Sequence, residues 1–233
     1  MARIVLITGG SRSGKSAFAQ QLAESLSETR IYLATCPVVD GEMAARIARH
    51  RRDREDRSWR TIEEETALAG ALGWGPDTGV VLVDCLTLWI NNLMFEAQRL
   101  GATLTEDDVA HKAREVLRAA RLGAETGAEG AAANYLIHSG TPPETGISDA
   151  AVGGVQTAAS SEGPPATPDG GGRTVIFVTN EVGMGIVPDN PGGRLFRDLA
   201  GRCNQVFAQE ADAVAFMVSG IPMWIKGKSP GKK

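Results

Sequence analysis

Apolar residues along this chain fall in short continuous runs rather than in alternation. Runs rich in β-branched residues occupy 4–7, 31–33, 80–83, 175–178 and 214–218, and helix-compatible segments separate most of them. Unbroken apolar runs of this length mark strands buried on both faces, and their alternation with helices predicts an α/β fold around a mainly parallel sheet. Helices are expected on both faces of that sheet. A different period begins at Thr105, where Thr105, Glu106, Asp107 and Asp108 supply a helix start and Val109, Val116, Leu117 and Ala120 form one stripe of a surface helix. Near the end, Gly220, Ile221 and Pro222 separate the run at 214–218 from Trp224, Ile225 and Lys226. A tight hairpin carrying an antiparallel edge strand is expected there.

Residues 123–173 break the pattern. They hold eleven of the 28 glycines and five of the eleven prolines, no lysine, and Tyr135 as their only aromatic. Such a stretch cannot bury enough apolar surface to offset its ordering entropy. It reads as a flexible insertion in one domain spanning 1–233, since 233 residues with 42% hydrophobic content can bury a single core. The lysines at 226, 228, 232 and 233 read as a solvated basic terminus.

A formal net charge of −4 provides no global basic field for nucleic acid. Cys36, Cys85 and Cys203 are widely spaced and match no paired metal-ligand pattern, so they read as reduced thiols. The chain enters a strand almost at once, without a signal-peptide layout, and no apolar run reaches the length of a membrane span. The expectation is a soluble cytoplasmic protein.

Candidate chemistry begins directly after the first run. Gly9, Gly10, Ser11, Arg12, Ser13, Gly14, Lys15 and Ser16 fit the phosphate-loop pattern of a glycine, four residues, then Gly-Lys-Ser. Glycines let successive N–H groups turn toward phosphate, Lys15 supplies a point charge, and Ser16 offers a hydroxyl to Mg²⁺. Asp84 closes the run at 80–83, at the strand end where open α/β sheets collect ligands. It is read either as a second Mg²⁺ anchor or as an ordinary strand-end cap.

Between Asp40 and Arg60 the chain is rich in arginine. Helical spacing places Met43 and Ile47 on one stripe and Arg46, His50 and Arg54 on another. Surrounding cations favour the neutral imidazole of His50, leaving a ring nitrogen free to attack phosphorus, whereas a solvated charged face explains the same spacing without chemistry. The stretch Thr179, Asn180, Glu181, Val182, Gly183, Met184, Gly185 should emerge beside the phosphate loop. Its glycines suit either close approach to a ligand or a turn. Arg194, Arg197 and Asp198 follow, as anion contacts or as solvated helix charges.

Taken together, the phosphate loop, the stretch Asp-Gly-Glu-Met-Ala-Ala-Arg-Ile with His50 beyond it, Trp59-Arg60-Thr61, and Thr-Asn-Glu-Val-Gly-Met-Gly-Ile-Val-Pro resemble one family. It is that of the bifunctional adenosylcobinamide kinase and adenosylcobinamide-phosphate guanylyltransferase enzymes of cobalamin biosynthesis. The resemblance implies a RecA-like P-loop NTPase fold and a homotrimer. It also implies two reactions: phosphorylation of adenosylcobinamide by ATP or GTP, then transfer of GMP from GTP onto that phosphate. His50 aligns with the family's nucleophile, which implies a guanylyl-histidine intermediate. GTP contacts are implied from Gly9 through Ser16, from Ala34 and Thr35, from Arg51, Arg52, Asp53 and Arg54, from Glu63, and from Asp84. Cys36 stands where related sequences often carry serine, and Asp84 where some carry glutamate. A monofunctional small-molecule kinase and a nucleotide-dependent regulatory switch are the competing readings.

Overall fold

A computed structural model describes residues 1–36, 57–72, 78–122 and 173–230. In chain order the elements are β1 (Arg3–Gly9), α1 (Lys15–Leu26), β2 (Arg30–Ala34), β3 (Trp59–Glu63), α2 (Leu68–Ala71), β4 (Val80–Asp84), α3 (Leu86–Arg99), α4 (Glu106–Leu122), β5 (Thr174–Val178), a 3-10 turn (Val182–Met184), α5 (Pro191–Glu210), β6 (Ala213–Val218) and β7 (Ile221–Lys226). The strands form one seven-stranded sheet in the order β3-β2-β4-β5-β1-β6-β7. Every pairing is parallel except that of β6 with β7.

The five apolar runs all lie in strands, and β4 and β5 are buried as their unbroken hydrophobicity requires. Successive residues point to opposite faces and so feed two cores. Ile4, Leu6, Val81, Val83, Val175 and Phe177 face α2, α3, α4 and α5. Val5, Ile7, Leu82, Ile176 and Val178 face α1, packing on Ala19, Leu22 and Ala23. Helix α4 starts as its sequence indicates: the Thr105 hydroxyl accepts from the Asp108 N–H at 3.2 Å, and the Asp108 carboxylate accepts from the Thr105 N–H at 3.0 Å.

Two elements differ from expectation. Strand β3 was not anticipated, because Trp59-Arg60-Thr61-Ile62-Glu63 is half polar and only partly buried, as befits an edge strand. The C-terminal hairpin exists, but its turn is Ser219-Gly220, both at positive φ (50° and 85°), so Ile221 and Pro222 belong to β7. Two consecutive left-handed residues match the twist of the flanking strands, and an edge strand tolerates proline. The helical stripe carrying His50 lies outside the described residues, as do most of the 123–173 insertion and the final lysines. Among the described residues no helix is long and apolar enough to cross a membrane.

The ends of the 123–173 segment are tied to neighbouring residues of one strand. The Ala2 N–H donates to the Arg121 carbonyl at 3.1 Å, and the Arg3 N–H donates to the Arg173 carbonyl at 2.8 Å. The segment therefore leaves and rejoins the fold at one place, the N-terminal end of β1.

Candidate active site

The phosphate loop joins β1, an interior strand, to α1 at the C-terminal rim of the sheet. Gly9 has φ 148°, and a Cβ there would lie 2.5 Å from the Met217 carbonyl oxygen on the neighbouring strand. Only glycine lets the chain turn at that point without displacing β6. Gly14, left-handed at φ 89°, is the N-cap of α1 and supplies no side-chain hydrogen bond, and the first turn carries no acidic residue. The first N–H groups of a twelve-residue helix thus remain available to an anion, and the helix dipole favours negative charge there. The C-terminal hairpin braces the loop, the Gly220 N–H donating to the Ser13 carbonyl at 3.0 Å.

Lys15 is buried at 7% exposure, with its ammonium donating to the Gly10 carbonyl at 2.6 Å and to the Ser13 hydroxyl at 3.4 Å. Burial lowers its pKa, while the charges of Cys85, Asp84 and Glu181 oppose that shift. Cys85 contributes no charge at neutral pH, because burial pushes its thiol up to about 12. The same thiol pKa removes Cys85 from the candidate nucleophiles.

Asp84 ends β4 with its Oδ2 accepting from the Tyr32 hydroxyl at 2.9 Å. Its other oxygen makes no hydrogen bond to a described residue. Beside it, Thr35 is fully buried and its hydroxyl is spent on the backbone of Cys85, donating to the carbonyl at 2.8 Å and accepting from the N–H at 2.9 Å. Asn92 of α3 donates to the Thr35 carbonyl at 2.8 Å. Thr35 thus shapes the rim rather than presenting its side chain to a ligand.

Strand β5 lies between β1 and β4, and the chain beyond it runs between the phosphate loop and Asp84. The Glu181 N–H donates to the Gly9 carbonyl at 3.1 Å. Its Oε1 accepts from the Thr8 hydroxyl at 2.5 Å and from the Asn204 amide at 3.3 Å. Asn204, buried on α5, also donates to the Asn180 carbonyl at 3.0 Å and accepts from the Thr179 hydroxyl at 2.7 Å. Thr87 of α3 accepts from the Asn180 N–H at 3.0 Å. Thr8, Thr87, Asn204 and the Glu181 side chain carried no assignment from sequence. The one available signal was Asn204, a polar residue on the buried stripe of Leu199, Ala200, Cys203 and Phe207.

Sequence-predicted residues divide into four groups. The loop residues, Ser16 and Asp84 come together at one rim. Ala34 and Glu63 lie further along it on β2 and β3; Glu63, exposed on the outermost strand, is four strands from β1, about 19 Å at the usual strand spacing. His50, Arg51, Arg52, Asp53 and Arg54 lie outside the described residues. Arg194 and Arg197 are used structurally: Arg194 donates to the Pro188 and Asp189 carbonyls at 3.1 and 2.8 Å, and Arg197 to the Gly183 carbonyl at 3.4 Å. They fasten the loop that follows Glu181. The donor set of one serine hydroxyl and a carboxylate with an open oxygen suits a hard cation such as Mg²⁺. Concave surfaces of about 410 Å³ (Glu24, Glu28, Arg30, Arg57, Ser58) and 230 Å³ (Arg114, Leu117, Arg118, Arg121, Glu210) lie at the opposite rim and hold no such cradle.

A phosphate loop ending an interior strand of a mainly parallel sheet, with an acidic strand end beside it, defines the P-loop NTPase fold class. A profile of the family described as cobinamide kinase / cobinamide phosphate guanyltransferase matches residues 5–126 and 162–225. The bifunctional adenosylcobalamin biosynthesis protein CobU of Escherichia coli K12 is 35% identical over 224 residues, covering 96% of this chain and 99% of its own. CobP of the same description from Pseudomonas aeruginosa is 34% identical over 226 residues, covering 96% and 97%. CobU of Salmonella typhimurium is 35% identical over 227 residues, covering 96% and 99%. The chain belongs to the cobinamide kinase / cobinamide phosphate guanyltransferase family, and it is a transferase. The unmatched stretch 127–161 falls within the glycine- and proline-rich segment.

Proposed function

We propose that this enzyme phosphorylates adenosylcobinamide with ATP or GTP and then transfers GMP from GTP to the resulting phosphate, releasing pyrophosphate. The observation that carries this reading is that one matched stretch, 5–126, spans both the phosphate loop and His50. In the first reaction the loop N–H groups and Lys15 hold the triphosphate, and catalysis comes mainly from positioning and charge stabilisation. In the second, an imidazole nitrogen of His50 attacks the α-phosphorus and the bond to pyrophosphate breaks. A phosphate oxygen of the substrate then displaces the imidazole, and GMP moves on. Ser16 and Asp84 would hold Mg²⁺, which supplies charge neutralisation at the phosphates.

Exposed Met184, Ile186 and Val187 form an apolar lip just beyond Glu181, a surface suited to a large, partly apolar corrinoid. The strip of Ile221, Met223 and Ile225 on β7 is likewise exposed, and self-association as a homotrimer would cover it. The three cysteines, none of them in a disulfide, suit the cytoplasm.

Incubation with α-labelled or γ-labelled GTP tests the reading. Covalent label from the α-phosphate alone, stable in alkali and lost in acid, is the expected result. His50→Asn should abolish that label and GMP transfer while leaving phosphorylation largely intact. Phosphorylation without covalent GMP in the unaltered enzyme would identify a monofunctional kinase. Nucleotide binding without turnover would identify a regulatory switch.

A further inference from the structure

The two half-reactions differ in one chemical demand. Phosphorylating an alcohol releases a proton from the attacking hydroxyl, whereas a neutral imidazole nitrogen and an ionised phosphate oxygen attack with lone pairs already free. The kinase step therefore needs a proton acceptor that the transfer step does not.

Among the described residues the rim offers few groups for that task. Lys15 is a cation bonded to the loop, Asp84 suits the metal and accepts from Tyr32, and Cys85 is a buried neutral thiol. Glu63 sits on the far edge strand. Glu64 and Glu65 follow it at that far edge, so among the described residues Glu181 is the carboxylate tied to the loop itself, and it is built into place. Its backbone is tied to Gly9, the first residue of the loop, and its Oε1 is clamped by Thr8 and Asn204. Its Oε2 makes no hydrogen bond to any described residue, and the side chain is half-buried. Thr8 precedes the loop on β1 and Asn204 reaches in from α5, so two separate elements fix the carboxylate between the phosphate cradle and Asp84.

We propose that Glu181 is the proton acceptor of the kinase reaction, with Thr8 and Asn204 as its positioning residues. This assignment rests on the two-reaction reading above. The substrate oxygen bonds to the γ-phosphorus, and the bond from that phosphorus to the bridging oxygen breaks. The nucleoside diphosphate leaves with the electron pair, the hydroxyl proton passes to Oε2 of Glu181, and Glu181 then releases it to water. No oxidant or further reactant is involved.

Glu181→Gln keeps the size of the side chain and an oxygen for Thr8, but removes the basic carboxylate. Its kcat for phosphorylating adenosylcobinamide should fall by about 10²–10⁴-fold, the usual worth of a positioned base, with KM for both substrates changed by less than about threefold. GMP transfer to separately prepared adenosylcobinamide phosphate should stay within about threefold of the unaltered enzyme. Unchanged phosphorylation would overturn the proposal. So would equal loss of both reactions, or activity in both restored by raised Mg²⁺, since these place Glu181 in the shared phosphate or metal site. If Glu181→Gln lacks a cooperative thermal transition, Glu181→Asp takes its place, and it must lose at least about tenfold in phosphorylation with transfer retained. Absence of phosphorylation by the unaltered enzyme would instead overturn the two-reaction reading, which separates the two failures.

Discussion

The two rims of the sheet use similar groups to opposite ends. At the N-terminal rim, Asp212 accepts from the Ile4 N–H at 2.7 Å and from Arg121 at 2.6 Å through the same oxygen. Arg121 also donates to the Ala2 and Glu210 carbonyls at 3.1 and 2.7 Å, and Lys226 donates to the Ala208 and Gln209 carbonyls at 2.9 and 2.7 Å. Charges there are consumed in holding termini and strand ends together. At the C-terminal rim, Asp84 and Glu181 each keep one oxygen outside the hydrogen bonds of the described residues, the N-terminus of α1 has no side-chain cap, and Lys15 is a buried lysine. Unspent hydrogen-bonding capacity beside a buried charge is costly to a fold unless a ligand uses it. The difference separates a rim that stabilises from one that reacts.

Three experiments test that separation. The largest effect is expected from Lys15→Ala: phosphorylation and GMP transfer should each fall by about 10²–10³-fold, because a preorganised charge at the transferring phosphate is lost. The thermal midpoint should change little, since a costly buried ammonium goes with it. Steady-state rates of both reactions and a melting curve check this; a normal rate of GMP transfer would require a second nucleotide site.

A smaller effect, of the opposite kind, is expected at the other rim. Asp212→Asn should lower stability by about 1 kcal/mol at neutral pH while leaving both rates unchanged. Burial raises the Asp212 pKa, but bonds from Arg121 and the Ile4 N–H and the charges of Arg121 and Arg3 outweigh it and hold the carboxyl below its ordinary value. With the folded pKa depressed, the stabilisation is complete above the unfolded value of about 4 and drains away as pH falls toward the folded one. Denaturant unfolding of both proteins between neutral pH and pH about 3 should therefore show their difference shrinking with acid. A difference that persists in acid would mean that Asp212 acts through shape rather than charge.

The smallest effect is expected from removing 124–172 and closing the gap with a short linker. Both ends are already anchored to Ala2 and Arg3, at the rim away from the phosphate loop. Folding and turnover should be preserved, as read by one cooperative transition and by rates within about twofold. A well-folded but inactive product would show that the two rims are not independent.

Much of this molecule is legible from local chemistry. Continuous β-branched runs identify interior strands because a strand covered on both faces tolerates no polar position. The glycine spacing identifies the loop because Gly9 and Gly14 adopt conformations that a Cβ would oppose. Edge strand β3 escaped because an exposed strand carries polar residues that resemble a loop's. Glu181 stood in view within a recognisable stretch, yet only the tertiary structure gave it a role. Thr8 is 173 residues away and Asn204 is 23, and nothing local to any of the three records that they meet. The chain by itself determined the fold class, the phosphate cradle and the family, since these depend on residue type and short spacing. Packing decided which carboxylate is clamped, which thiol is silenced and which arginines are spent on loop carbonyls. Those outcomes follow from which distant groups burial brings together, and no local spacing encodes that.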